Sequence, residues 1–344
     1  MTVRRSGLLW AQALLGATLC LALGAPVPAV ARSADDKASG ETAQEKVDIS
    51  GLPWNQVERY DRFPRERGYN DLYDALREHA NQSYEGVSET DSREIVCWGD
   101  SMTEGVGAGL ATIKKGGQKN NISFKAYPQI LQELTGLKTF NFGIAGATSE
   151  EIALMQGGLS IEELRSPLEV FLPRIAHEGE QHPGDILILE IGSNGGWANR
   201  YKRLIKQYRA MIEHSGCKDY LIIGDTDDPG TSIADLRQQP FAPGTGPGET
   251  AWEAALRKEF GDHFINMRVY LIEHGLDVCG LKRNRADRAM ADKGCISTKL
   301  RYDWTHFNSY GYYAQAYGIY ERGLELGYWG PDALPLEELL TPRN

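Results

Sequence analysis

The feature that most constrains the fold is the alternation of short apolar runs with amphipathic segments from about residue 93 onward. The runs LILEI and YLII are almost continuously apolar, which is typical of strands covered on both faces of a sheet. Because helical segments separate such runs, the strands are expected to pair in parallel through right-handed crossovers. The sequence therefore predicts an α/β fold, a three-layer α/β/α sandwich with a central, mainly parallel five-stranded sheet.

The expected strands are short, and helices connect them. They are expected at residues 94–98, 139–142, 185–191, 220–224 and 264–267. The helices are expected at residues 127–134, 161–176, 199–214, 250–260 and 309–326, with a short helical stretch near residues 71–79. In such sheets the ligand site lies beyond the carboxyl ends of the strands.

Composition and charge narrow the range of partners. The chain has 344 residues, of which 41% are hydrophobic, and a formal net charge of −10 at pH 7. A full-sized core is expected, and the acidic balance argues against nucleic acid or an anionic membrane surface as the main partner. The seven histidines are scattered and no C-x-x-C pair occurs, so no metal and no cofactor is expected. None of these features predicts the oligomeric state.

The N-terminus predicts an export signal over residues 1–31. Arg4 and Arg5 precede an apolar run, and residues 29–31 form an A-x-A cleavage site. A membrane-anchoring helix is the alternative, but a glutamine interrupts the run and prolines end it. We expect a secreted or periplasmic protein without stable membrane insertion, with a flexible leader over residues 32–50. An N-terminal extension packed on the domain should span residues 51–92, and the α/β domain itself residues 93–344.

Four cysteines lie outside this signal. Cys279 and Cys295 bracket a polar, charged segment and are the expected disulfide pair of an exported protein. Cys97 lies in an apolar strand and Cys217 at a helix-to-strand junction, so each is expected to be a small buried thiol.

Polar, glycine-containing motifs follow three of the expected strands. The first strand runs into Gly99-Asp100-Ser101, where a serine at a turn can present its hydroxyl above the sheet. An ordinary turn that caps the next helix explains the same triplet equally well. The second strand ends in NFGIAGATS and the third in GSNGGW, and both can direct N–H groups toward a ligand. A glycine-rich turn is again the alternative.

A further motif, Asp303-Trp304-Thr305-His306, precedes the last amphipathic helix. At this spacing the aspartate can hold one nitrogen of the imidazole while the other nitrogen reaches a serine. A lone histidine in this position more often only packs or caps a helix.

Taken together, the order Ser101, Gly146, Asn194 and then Asp303 with His306 resembles the SGNH (GDSL) hydrolase superfamily, over about residues 93–325. The resemblance implies the flavodoxin-like SGNH hydrolase fold. It also implies that Ser101 attacks an ester carbonyl, that His306 is its general base and that Asp303 orients His306. The backbone N–H groups of Ser101 and Gly146 and the side chain of Asn194 would bind the oxyanion.

The sequence departs from the family at Gly195, where an acidic residue usually follows the asparagine. Asp100, Trp197 and Trp304 adjoin the motifs and are expectations for substrate contact, although burial is the commoner fate of a tryptophan beside a strand end. The segments 225–248 and 277–298 are expected to lie over the active site as loops or a lid, or to be surface insertions.

These observations favour a secreted serine hydrolase that cleaves carboxylic esters through an acyl-enzyme. Its substrate would be a small-molecule ester or an acylated carbohydrate, with removal of acetyl groups from a carbohydrate as the preferred interpretation. A lipase or general esterase acting on lipid or aryl esters is the alternative. A non-catalytic binding domain of the same fold is a third hypothesis.

Overall fold

A sheet of five parallel strands forms the centre of the computed structural model, which describes residues 71–115, 118–160, 178–191, 194, 201–229 and 248–330. The strands in chain order are β1 (Glu94–Gly99), β2 (Thr112–Lys115), β3 (Gln118–Asn121), β4 (Lys138–Gly143), β5 (Ile186–Glu190), β6 (Asp219–Ile223) and β7 (Phe264–Ile265). The sheet has the order β4-β1-β5-β6-β7, and every pairing in it is parallel. Strands β2 and β3 form a separate antiparallel pair that the sequence pattern did not predict.

The helices in chain order are α1 (Asp71–Gln82), α2 (Ser101–Glu104), α3 (Tyr127–Thr135), α4 (Ser149–Gln156), α5 (Tyr201–Ser215), α6 (Ala251–Phe260), α7 (Met267–Tyr270), α8 (Leu276–Val278), α9 (Arg285–Ala291) and α10 (Ser309–Leu326). A π-helical turn, Leu271–Gly275, joins α7 to α8. The expected helix at 161–176 lies outside the described residues, whereas α1, α3, α5, α6 and α10 coincide with predicted helices.

Successive residues of β1 point to opposite faces of the sheet, and each face has its own apolar core. Ile95 and Cys97 join a cluster with side chains of α3 and α10. Val96 and Trp98 join a second cluster with side chains of α4, α5 and α6. Helices therefore cover both faces, as the near-continuous apolar runs require. The predicted three-layer α/β/α sandwich is confirmed.

The outer edge of β4 is covered by helix α1 through one asparagine. Asn81 accepts a hydrogen bond of 2.8 Å from the N–H of Asn141 and donates one of 2.9 Å to its carbonyl oxygen. The side-chain amide thus makes the two hydrogen bonds that a further strand would make at this position. An edge satisfied in this way is a poor template for pairing with another chain.

Helix α1 belongs to the extension expected over residues 51–92, while the expected signal at 1–31 and leader at 32–50 lie outside the described residues. Within the described part of the chain, no helix combines the length and apolar character that a membrane crossing requires.

The expected Cys279–Cys295 disulfide is not formed in the structure, where both residues are free thiols. Cys279 follows α8 and its buried thiol donates to the carbonyl oxygen of Tyr310 at 3.1 Å. Cys295 directs its thiol to the carbonyl oxygen of Lys293 at 3.7 Å. Each sulfur has its own backbone acceptor, so the segment between them is held by other contacts. Cys97 is buried as expected, and Cys217 is only partly buried.

Candidate active site

The serine of the Gly-Asp-Ser motif lies at the start of α2, directly beyond the end of β1. Asp100 is the N-cap of this helix, and its Oδ1 accepts a hydrogen bond of 3.0 Å from the N–H of Met102. The turn before the cap is tight. A Cβ atom on Gly99 would lie 2.0 Å from Oγ1 of Thr103 and 2.5 Å from the carbonyl oxygen of Glu190. Only glycine allows α2 to fold back so closely on the strand ends.

Two hydrogen bonds link the three residues that the sequence singled out as a triad. His306 Nε2 lies 2.9 Å from Ser101 Oγ, and His306 Nδ1 lies 2.8 Å from Asp303 Oδ2. Oδ1 of Asp303 accepts hydrogen bonds from the backbone N–H groups of Thr305 and His306, at 2.8 and 2.7 Å. The carboxylate therefore fixes both the loop and the ring, and the second ring nitrogen, Nε2, points at the hydroxyl. This arrangement can transfer the serine proton to the imidazole.

The charge of Asp303 is maintained by these same contacts. Partial desolvation acts to raise the pKa of this carboxyl, but hydrogen bonds from the ring and backbone of His306 outweigh it and lower the pKa. Asp303 is therefore ionised at neutral pH and can stabilise an imidazolium.

Arg301 holds the loop that carries the dyad. Its guanidinium donates to the carbonyl oxygen of Thr305 at 3.1 Å and to that of Thr226, beyond β6, at 2.6 Å. It also forms an ion pair of 3.0 Å with Asp228. The side chain is almost completely buried, so this fork connects the histidine loop to the segment that follows β6.

The three predicted oxyanion donors lie around the same strand ends. Gly146 occupies a turn closed by a hydrogen bond from Ala147 N–H to the carbonyl oxygen of Ile144, and its φ of 79° favours glycine. Among the described residues, no partner accepts a hydrogen bond from the backbone N–H groups of Ser101 or Gly146. Asn194 instead directs its amide to Asp100 Oδ2 and to the carbonyl oxygen of Ala147, each at 3.2 Å. To bind an oxyanion, the side-chain amide of Asn194 would give up its hydrogen bond to Asp100 or to the carbonyl oxygen of Ala147.

A buried carboxyl that sequence reasoning missed lies beneath the serine turn. Glu190 ends β5 and accepts hydrogen bonds from Gln315 of α10 at 2.7 Å and from Thr103 of α2 at 3.3 Å. Burial and then the nearby Asp100 raise the pKa of Glu190 well above its usual range. The side chain connects three elements at the base of the site. The sequence did contain an indication of this residue. Glu190 lies inside the apolar run LILEI, and a buried acid needs a hydrogen-bond partner.

The residues expected to contact the substrate lie in different environments in the structure. Asp100 is buried and both of its carboxylate oxygens accept hydrogen bonds from protein N–H groups, so its role is to join α2 to Asn194. Trp98, which directly precedes the Gly-Asp-Ser motif and was a further candidate to line the site, is buried against Phe142 in the core. Trp197 lies outside the described residues. Trp304 is 59% exposed, next to Asp303, and is free to contact a substrate.

The segments expected to border the site are partly described. Residues 230–247 lie outside the part of the chain that the structure describes. The segment from 277 to 298 contains α9, whose Asp287 forms an ion pair of 2.7 Å with Lys299. The segment packs on the domain through Arg268, which donates to the carbonyl oxygen of Gly294 at 2.7 Å. In the part of the chain that the structure describes, no group of three or more His, Cys, Asp or Glu side chains is arranged to hold a metal ion.

The solved structures to which this chain is similar have low sequence identity to it. A protein described as lipolytic and of the G-D-S-L family, from Desulfitobacterium hafniense, is 13% identical, with a TM-score of 0.40, and the match covers 67% of this chain and 99% of that one. A Corynascus thermopiles carbohydrate esterase family 2 enzyme with a carbohydrate-binding domain is 15% identical, with a TM-score of 0.40 and coverages of 70% and 68%. A protein described as an arylesterase from Agrobacterium tumefaciens is 14% identical, with a TM-score of 0.34 and coverages of 72% and 100%. No curated protein matches the sequence.

The sequence profile of the GDSL-like lipase/acylhydrolase family matches residues 97–314, which is more than half of the chain. The match begins within β1, just before the serine turn, and ends within α10, just after the histidine loop. It agrees with the resemblance inferred from the four motifs. The chain therefore belongs to the GDSL-like lipase/acylhydrolase family.

Proposed function

We propose that this protein is a serine esterase that cleaves carboxylic esters through an acyl-enzyme. The observation that carries the proposal is the continuous chain of hydrogen bonds from Asp303 through His306 to Ser101. A non-catalytic binding domain would have no need of an ionised carboxylate, an oriented imidazole and a serine in contact. The alternative of a simple helix-capping turn does not account for the ring of His306 on the serine hydroxyl.

In the first half-reaction, His306 Nε2 takes the proton of Ser101 Oγ as this oxygen attacks the ester carbonyl. Asp303 accepts a hydrogen bond from the Nδ1–H group of the ring and, as an anion, stabilises the positive charge of the imidazolium. Collapse of the tetrahedral intermediate returns the proton to the leaving alcohol and leaves the acyl group on Ser101. In the second half-reaction, His306 takes a proton from a water molecule as the water oxygen attacks the acyl carbon. The second tetrahedral intermediate then breaks its bond to Ser101 Oγ, His306 returns the proton to this oxygen, and the acid is released.

The negative charge of each tetrahedral intermediate would be stabilised by N–H donors at the strand ends. Those of Ser101 and Gly146 come from the backbone, and the third comes from the amide of Asn194. Each such donor is worth about 3 kcal/mol in the transition state. Asn194 already donates to Asp100, so the carboxylate that caps α2 also sets the direction of this amide.

The preferred substrate within this proposal is an acylated carbohydrate from which a short acyl group, such as acetyl, is removed. Tyr302 and Trp304 flank Asp303 and are 63% and 59% exposed, and aromatic faces of this kind stack on sugar rings. With the export signal proposed for residues 1–31, the substrate would be met outside the cell membrane.

A lipase or general esterase is the second candidate, because two apolar side chains are exposed between β1 and α3. Leu110 is 84% exposed and Phe124 is 38% exposed. Exposed apolar side chains in neighbouring segments favour an acyl chain or aryl group as ligand. The two substrates are distinguished by comparing acetate release from acetylated polysaccharide with the hydrolysis of p-nitrophenyl esters of increasing chain length. A large preference for long chains would contradict the carbohydrate proposal.

The esterase proposal itself is tested with purified protein and p-nitrophenyl acetate. Ser101→Ala is expected to lower kcat by at least about 10⁴-fold, and Asp303→Asn by about 10²–10⁴-fold, because the imidazole loses its orienting anion. Circular dichroism spectra should show that both variants stay folded. Equal rates for the wild type and Ser101→Ala would overturn the proposal.

A further inference from the structure

A buried cluster of charged residues lies behind the turn that carries Gly146. Glu104, at the end of α2, accepts a hydrogen bond of 2.8 Å from the N–H of Ala145 through Oε2. The next hydrogen bond of the turn runs from Ala147 N–H to Ile144. The peptide that provides the Gly146 N–H is therefore fixed on both sides, by Glu104 before it and by the turn after it.

The other members of the cluster come from α1. Arg77 donates to the carbonyl oxygen of Gly143, the last residue of β4, at 2.7 Å. It also lies 3.1 Å from Asp74 Oδ1 and 3.6 Å from Glu104 Oε1. Asp74, Arg77 and Glu104 are each no more than 5% exposed. Three charges this deeply buried are tolerated only when they neutralise one another.

Among the described residues, the charges of this cluster balance if Glu104 carries a proton. Burial, and then a hydrogen bond with the carboxyl of Asp74, raise the pKa of Glu104 above its usual value, although Arg77 opposes this. Oε1 of Glu104 is buried and receives no hydrogen bond from the described residues, as expected of the oxygen that holds the proton. Protonated Glu104 can then donate to ionised Asp74 through Oε1 and accept from Ala145 through Oε2, while Arg77 pairs with Asp74.

We propose that Glu104 is a positioning residue, anchored by Asp74 and Arg77 of α1, that aims the Gly146 N–H at the oxyanion. This inference rests on the proposed ester hydrolysis. Helix α1 lies outside residues 97–314, the part of the chain that the family profile matches. The extension thus completes the oxyanion site from outside the matched domain, in addition to covering the edge of β4.

Two substitutions at the same position separate positioning from simple packing. Glu104→Gln preserves both contacts, since its amide oxygen accepts from Ala145 and its amide nitrogen donates to Asp74. Glu104→Met keeps the volume and removes the acceptor. With p-nitrophenyl acetate we expect Glu104→Gln to stay within about threefold of the wild-type kcat and Glu104→Met to lose about 10–100-fold, with KM changed little in either variant. Inhibition by a trifluoromethyl ketone, which forms a tetrahedral adduct with the serine, should weaken by the same factor as kcat.

A matched control is the buried pair of Glu253 and Arg268, whose side chains are 5% and 1% exposed and 2.6 Å apart. Glu253→Gln is expected to lower the melting temperature without changing the kcat of the folded protein. If Glu104→Met fails to fold, Arg77→Lys takes its place. A lysine side chain is shorter than that of arginine, so its Nζ falls short of the position from which Arg77 Nη1 contacts both Gly143 and Asp74, and kcat should fall by about 3–10-fold.

Loss of activity in Glu104→Gln as large as in Glu104→Met would overturn the inference. So would a wild-type kcat in Glu104→Met or, where that variant does not fold, in Arg77→Lys. A wild-type protein that hydrolyses no ester would instead contradict the proposed function, so the two failures are distinguishable.

Discussion

The guanidinium of Arg301 donates a hydrogen bond of 3.1 Å to the carbonyl oxygen of Thr305, the residue directly before His306. The same group reaches Thr226 and Asp228 beyond β6. The position of the imidazole therefore depends on a side chain that never contacts the serine.

Arg301→Lys is expected to lower kcat by about 10–100-fold, because a single ammonium cannot bridge both segments and small misplacements of a catalytic group are costly. Steady-state kinetics with p-nitrophenyl acetate measures the change. Arg283→Lys is the control, since Arg283 donates to backbone carbonyls of Ile272 and Glu273 and to no part of the histidine loop. A wild-type kcat in Arg301→Lys would show that the loop is held by other contacts.

Asn81→Ala is expected to reduce the free energy of unfolding by about 1–3 kcal/mol, because it leaves the N–H and C=O of Asn141 without their partner at the edge of the sheet. Urea denaturation followed by circular dichroism gives the value. The exposed neighbour Gln82 is the control, and Gln82→Ala should stay within about 0.5 kcal/mol of the wild type. Equal stability of the two variants would refute the role assigned to Asn81.

The stability contributed by Asp287 should vanish in acid. Burial acts to raise its pKa, but hydrogen bonds from Lys299 and Ser297 prevail and lower it from 3.8 to about 2. Because the folded-state pKa lies below the unfolded value, this stabilisation is present above about pH 4 and is lost as the pH falls toward 2. Asp287→Asn should therefore have a lower melting temperature than the wild type at pH 7, and the difference should shrink between pH 4 and pH 2.5.

The control for this measurement is Asp292→Asn, because Asp292 is exposed and lies just after α9, the helix that contains Asp287. Its melting temperature should follow that of the wild type at every pH. A difference between wild type and Asp287→Asn that stays constant down to pH 2.5 would contradict the ion pair with Lys299.

Substitution by alanine should reduce stability and activity at Gly99 and leave both unchanged at Gly109. At Gly99 the new Cβ would meet a backbone oxygen at 2.5 Å, whereas at Gly109 no atom lies within 4 Å. We expect Gly99→Ala to cost about 1–3 kcal/mol in stability and to displace the serine turn, with loss of activity. Gly109→Ala should retain both stability and activity. Thermal unfolding and kcat together test this, and an active, stable Gly99→Ala would mean that the turn can relax.

The positions of the catalytic motifs could be predicted because parallel strands place their carboxyl ends along one edge of a sheet. Gly99, Gly143 and Glu190 are register partners in the structure. Motifs that directly follow these residues in the sequence, starting with Ser101, are therefore brought together by the strand order alone. The contact between Asp303 and His306 could be predicted from their spacing. At a separation of three residues in a tight loop, one carboxylate can bind both the ring and the backbone of the histidine.

Other features depend on contacts that no local pattern encodes. Strands β2 and β3 contain lysines and asparagines, which are poor strand formers, so the pattern gave no sign of a hairpin. The cysteine spacing could not show in which direction each thiol points, and the expected disulfide was absent. The roles of Asn81 and Arg77 arise only after α1 has docked on β4, and a sequence pattern contains no information on that docking.

The hydrogen-bonded atoms of Ser101 and His306 belong to residues 205 positions apart. His306 lies just before α10, the last helix of the described chain, and the ring of its neighbour Phe307 packs on Tyr312 of that helix. Domains of this size commonly pass through partly folded intermediates. Hydrolysis would then report completion of folding, because a nascent or truncated chain that has built the sheet but not docked its final helix holds a serine with no base.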